Sequence, residues 1–164
     1  MIPDHVQRQL SEFCQSFHPC HIAYIGLGNI DRADDGAGII LAQRLRTIFP
    51  DQVFSESEKP VESRVLHLLE EDRWRAVLFF DAARFEGKAN VHFFSGEALY
   101  LFQPAYTTHR PPFSLLIQLL KEKGIQPAVL GIRPKSTTLL EPITSEMNDL
   151  IAELERLIKV INSQ

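Results

Sequence analysis

Two rhythms of apolar residues alternate along this chain. Between residues 4 and 17, Val6, Leu10, Phe13 and Phe17 are spaced four, three and four apart, the one-face stripe of an amphipathic helix. HIAYIG, residues 21–26, is a short β-rich apolar run closed by glycine and reads as a buried strand. A turn-rich stretch follows, GLGNIDRADD. From Gly36 to Phe49 the apolar positions return to helical spacing until Pro50 stops them. Residues 52–55 form a short strand, and Pro60 opens a helix carrying Val61, Val65, Leu66, Leu68 and Leu69.

RAVLFFDA, residues 75–82, is the strongest strand signal. Its run Ala76–Phe80 is apolar without alternation, as in a strand covered on both faces. ANVHFFS, residues 89–95, is another strand, and the short RFEGK turn between them allows a hairpin. Residues 112–123 form an amphipathic helix ended by Gly124. PAVLGIRP, residues 127–134, is a further strand. Met147, Leu150, Ile151, Leu154, Leu157, Ile158 and Ile161 define a long last helix, capped by Thr144 or Ser145.

Strands alternating with helices predict an α/β three-layer sandwich. Its twisted sheet has about five mostly parallel strands, one antiparallel member and helices on both faces. The whole chain, residues 1–164, reads as one domain, with residues 1–20 a helical extension ahead of a core at 21–164. In such folds ligands bind beyond the carboxyl ends of the strands, so the residues that follow each strand are the candidates for chemistry.

Composition removes several classes of function. Apolar residues make up 45% and charged residues 23% of the chain, which fits an ordinary globular protein. The net charge of −4 lacks the basic excess of a general nucleic-acid binder. No apolar stretch approaches the ~20 residues that cross a bilayer, and the N-terminus has Asp and Gln where a signal peptide is apolar. Cys14 and Cys20 make neither a zinc-ribbon half nor a disulfide framework and read as reduced thiols. The expectation is a cytoplasmic protein with no nucleic-acid and no membrane partner. His5, His18, His21, His67 and His92 fall on helix faces, at strand entries or on a strand and carry no expected chemistry.

The strand ends carry a distinctive set. The first is followed by GLGNIDRADDGAG, the RAVLFF strand by Asp81, a later loop holds His109 in PAYTTHRPP, and the last strand runs into RPKS. Two carboxylates and an imidazole at one rim form an O/O/N set suited to a borderline divalent ion such as zinc or nickel. Asp34 and Asp35 have a simpler reading as caps of the next helix, or as a split pair with Asp34 capping and Asp35 reaching the rim. Asp81 has one as a buried, hydrogen-bonded structural carboxylate, and His109 as an ordinary loop histidine. A dinucleotide reading fails. Gly26 and Gly28 fit G-x-G-x-x-G, but the third position is Asp31, and two carboxylates follow where a pyrophosphate would sit. No nucleotide is expected.

GLGNIDRADDGAG, residues 26–38, resembles the signature of the hydrogenase maturation endopeptidases, G-x-G-N, a short spacer, then D-[DE]-G-x-G. The strand ending in Asp81, His109 ahead of an amphipathic helix, and GIRPKS before a C-terminal helix agree with that family in order and approximate spacing. The resemblance covers about residues 21–160. It implies a twisted sheet flanked by helices, and a protease that removes the C-terminal peptide of a nickel-iron hydrogenase large-subunit precursor after nickel insertion. The substrate-bound nickel is then the recognition element. The resemblance places the family's metal-contacting and catalytic side chains at Asp35, Asp81 and His109, with zinc or cadmium as possible surrogates for nickel. Gly26, Gly28, Asn29, Asp34, Gly36 and Gly38 shape the adjoining substrate loop. Aspartic-type and metal-assisted mechanisms stay open. So do a non-cleaving nickel-dependent chaperone of the same fold and a metal-dependent amidohydrolase.

Overall fold

A computed structural model of the chain describes residues 1–105 and 112–164. His109 lies outside the described residues. The helices are α1 Asp4–Gln15, α2 Ala37–Arg46, α3 Val61–Glu70, α4 Phe113–Glu122 and α5 Ser145–Ile161. The strands are β1 Ile22–Gly26, β2 Val53–Ser55, β3 Ala76–Arg84, β4 Val91–Ser95, β5 Gln103–Pro104 and β6 Gln126–Ile132. Short 3₁₀ turns at Pro19–His21, Ala33–Gly36 and Gly96–Leu101 complete the order.

The sheet runs β2-β1-β3-β6-β4, with the two-residue β5 joined to the far end of β3. The first three pairings are parallel. Side chains of β1 and β3 alternate between two cores, as a strand's period of two requires. Ile22, Tyr24, Ala76, Leu78 and Phe80 face α1, α2 and α5, while Ala23, Ile25, Val77 and Phe79 face α3 and α4. Both faces are covered, which is why these strands read as unbroken apolar runs. Helix α1 is integral to the first core, since Ile2, Val6, Leu10 and Phe13 are buried there. The expected cap of α5 is Thr144, whose side chain accepts from the Met147 backbone N–H.

The expected hairpin does not form. β4 is the antiparallel member, but it pairs with β6, in register Val91↔Ile132 to Ser95↔Ala128. β6 occupies the edge of β3 where a hairpin partner would lie. The connecting turn therefore crosses the end of β6, and Arg133 holds it there. Its guanidinium donates to the carbonyls of Phe85, Gly87 and Ala89, and its backbone N–H donates to Asn90. β5 adds a second antiparallel contact, Ala83↔Pro104.

Candidate functional site

At the carboxyl ends of β1 and β3, glycines let backbone segments close to distances no side chain would permit. A Cβ on Gly38, in the first turn of α2, would stand 2.2 Å from the Phe80 carbonyl oxygen and 2.5 Å from that of Leu27. One on Gly26 would stand 2.4 Å from the Gly38 carbonyl oxygen. The start of α2 is thereby driven into the end of the sheet, carrying the Asp34–Asp35 turn with it. Gly28 has φ +127°, and a Cβ there would lie 2.0 Å from the Asp35 carbonyl oxygen and 3.8 Å from Asp81 Oδ1. The Asp35 backbone and the Asp81 carboxylate thus border the same glycine-shaped notch. Both residues are buried, and both are engaged by neighbours.

Asp34 has a different task from the cap considered above. No side chain caps α2. The Asp34 carboxylate, fully buried, accepts instead from the backbone N–H groups of Lys135 (2.8 Å), Ser136 (3.3 Å) and Thr144 (2.8 Å). The Thr144 hydroxyl lies 2.9 Å from each of its oxygens. Backbone bonds continue the seam. Ala33 N–H donates to Glu141, Asp34 N–H to Ser136, and Leu140 N–H to Asp31, while Arg32 Nη1 reaches the Thr137 carbonyl. The loop after β1 and the loop after β6 are one hydrogen-bonded unit. A carboxylate suits its centre because it is acceptor-only, with lone pairs enough for several donors.

Asn29 shapes the same loop. Its side chain accepts from Asp31 N–H, and its own N–H donates to the Asp35 carbonyl. Gly36 packs on Ile30, where a Cβ would fall 2.9 Å from the Ile30 Cα. Reading the sequence missed Glu56, the first residue after β2, whose Oε2 accepts from Gly28 N–H at 3.1 Å. The usable signal was its place at a strand end.

The described residues on both sides of 106–111 lie near Asp81. Ala105 N–H donates to the Ala82 carbonyl at 2.8 Å, and the Phe113 ring packs edge-on against Phe79 at 5.1 Å. A cleft of about 290 Å³ opens between the ends of β3 and β6, lined by Arg84, Ala105, Arg133, Lys135 and Ser136 among others. Among the described residues, no helix is long and apolar enough to cross a membrane.

No protein-family model and no curated protein sequence matches the chain. Solved structures do. The [NiFe] hydrogenase maturation protease HycI from Thermococcus kodakarensis superposes with a TM-score of 0.76 at 25% identity, over 95% of this chain and 99% of that one. That coverage leaves too few residues unmatched for the whole N-terminal extension to lie outside it. At lower identity, two Escherichia coli structures share the fold. The endopeptidase HycI has a TM-score of 0.65 at 24% identity, over 82% of this chain and 86% of its own. The hydrogenase maturating endopeptidase HybD has a TM-score of 0.53 at 20% identity, over 84% of this chain and 89% of its own. Carrying both this fold and the GLGNIDRADDGAG rim motif, the chain resembles the hydrogenase maturation endopeptidase family.

Proposed function

We propose that this chain is an endopeptidase that removes the C-terminal peptide of a nickel-iron hydrogenase large-subunit precursor once that precursor carries nickel. The observation that supports it most is the notch at Gly28. There, the backbone carbonyl of Asp35, in the loop after β1, and the carboxylate of Asp81, within β3, border one glycine-shaped gap, in a fold shared with a named maturation protease at 25% identity.

In this reading Asp35, Asp81 and His109 contact the nickel that the precursor brings, as oxygen and nitrogen ligands suited to a borderline ion. A precursor without nickel lacks this anchor, so cleavage waits for metal insertion. Hydrolysis adds water across the scissile amide. A rim carboxylate accepts the water proton as the oxygen attacks the carbonyl carbon, and the proton passes to the departing amine as the C–N bond breaks. The Asp34 seam holds Asp35 in place for this step, because it ties the residue before Asp35 to the loop after β6.

The test is incubation with nickel-loaded precursor and intact-mass analysis. Loss of a C-terminal fragment is expected with the native chain. None is expected with Asp35→Asn, Asp81→Asn or His109→Ala, each with a melting temperature near that of the native protein. Wild-type processing by any of the three would remove that residue from the mechanism. A precursor that binds but keeps its full mass would instead make the protein a non-cleaving checkpoint.

A further inference from the structure

At the opposite end of β1 lies a cluster that the carboxylate rim does not use. His18, Cys20 and His21 each offer one ligand atom, and the three atoms lie within 4.8 Å of one another. His18 Nδ1 is 2.9 Å from Cys20 Sγ, and the two imidazole rings stand edge to face with centroids 5.7 Å apart. We propose that these three side chains form a surface site for one zinc ion, which clips the α1–β1 connection.

The donor chemistry selects the class of ion. One thiolate and two imidazoles suit zinc, and three protein ligands leave a fourth position for water. Ligand atoms around a tetrahedral zinc stand about 3.3–3.6 Å apart, from its Zn–N and Zn–S bond lengths. The cluster reaches that spacing by small side-chain rotations, in which the exposed His18 gives up the Cys20 backbone N–H that its Nδ1 accepts at 3.3 Å.

His21 is already oriented as a ligand. Its Nδ1 lies 2.6 Å from the Arg73 carbonyl oxygen. A carbonyl only accepts, so Nδ1 carries the proton and Nε2 keeps the lone pair. A backbone carbonyl fixing the tautomer in this way is the usual outer support of a metal-bound histidine. The backbone of the turn is pinned as well. Arg73 Nε donates to the Cys20 carbonyl at 3.0 Å, and Gln52 Nε2 to the Ile22 carbonyl at 2.9 Å. The Arg73 guanidinium is the nearby cation. It is engaged by that carbonyl and lies over the Trp74 ring, 4.5 Å from its centroid. Binding releases the Cys20 thiol proton to solvent as the S–Zn bond forms.

The site is separate from the rim. It precedes Ile22, the first residue of β1, whereas the rim follows Gly26, the last. Five residues of strand at about 3.3 Å each put roughly 17 Å between them. An ion here acts on the fold and not on the cleaved bond. Its ligands flank the turn that carries the chain from α1 into the sheet.

Cobalt(II) serves as the optical probe, added to untagged, reduced protein. One equivalent is expected to give sulfur-to-cobalt charge-transfer absorption that survives Asp35→Asn/Asp81→Asn and vanishes in Cys20→Ser. His18→Ala, at an exposed position, and His21→Ala are expected to weaken binding at least tenfold. Zinc is expected to raise the melting temperature of the native chain and not of Cys20→Ser. The proposal is overturned by any of three results: no charge-transfer band at saturation, a band that persists in Cys20→Ser, or equal melting with and without zinc.

Discussion

Replacing Asp34 is the sharpest probe of how the rim is built. Its carboxylate is fully buried and receives two backbone N–H groups at 2.8 Å, those of Lys135 and Thr144, besides the Thr144 hydroxyl. A hydrogen bond to a charged group contributes about 1.5–3 kcal/mol, and a buried donor left without its partner costs about 1–3 kcal/mol. Asp34→Ala strands three N–H donors, two of them at 2.8 Å, so the expected loss is about 3–5 kcal/mol. Asp34→Asn is the more telling change because it keeps size and shape. Donors approach both carboxylate oxygens, so either orientation of the amide points an NH₂ at an N–H. The expected cost of Asn is therefore about as large as that of Ala. At about 2–4 °C per kcal/mol for a chain of this length, the melting temperature should fall by roughly 6–20 °C. Urea denaturation followed by the fluorescence of Trp74, the single and buried tryptophan, reads the same loss as a shift in midpoint. If Asp34→Asn melts within 2 °C of the native protein, the carboxylate is not the acceptor hub described and the two loops are held together by something else.

Gly38→Ala should destabilise by about 1–3 kcal/mol, because its Cβ would meet the Phe80 and Leu27 carbonyl oxygens inside 3 Å; native-like melting would show that α2 can back away from the sheet. Leu154→Ala, at a fully buried position of α5, should cost about 2–5 kcal/mol by denaturant titration, and an unchanged midpoint would mean that the helix does not seal the core. Burial pushes the Cys14 thiol up to about 12, against a smaller lowering by its hydrogen bond with Tyr24. With chelator present, iodoacetamide at pH 8 should label Cys20 and spare Cys14 in the folded protein; equal labelling would contradict the burial. The unfolded chain ionises that thiol near pH 9 while the fold keeps it neutral. This contribution to stability is full below pH 9 and should fade as pH rises towards 12, measurable as a falling urea midpoint.

The main elements and their order are written in the spacing of apolar residues along the chain. Helical stripes such as Val6, Leu10 and Phe13 and the unbroken run Ala76–Phe80 encode burial directly, because the period of the apolar residues is the period of the element that buries them. Asp35 and Asp81 became candidates on a different ground, that ligands in this architecture bind where parallel strands stop; β3 itself runs on past Asp81 to Arg84. What the tertiary structure alone decided was pairing across distance. Nothing local in RFEGK says that β6 takes the edge of β3 and leaves β4 to pair with β6 instead. Nor does the Asp34–Asp35 pair reveal that the first acid gathers backbone donors from Lys135, Ser136 and Thr144, about a hundred residues further along the chain. The same holds for His21, whose Nε2 is freed for a ligand by a carbonyl at Arg73. Periodicity records which side of an element is dry, whereas hydrogen-bond partners and strand neighbours depend on loop closures and on competition among edges that only the assembled chain resolves.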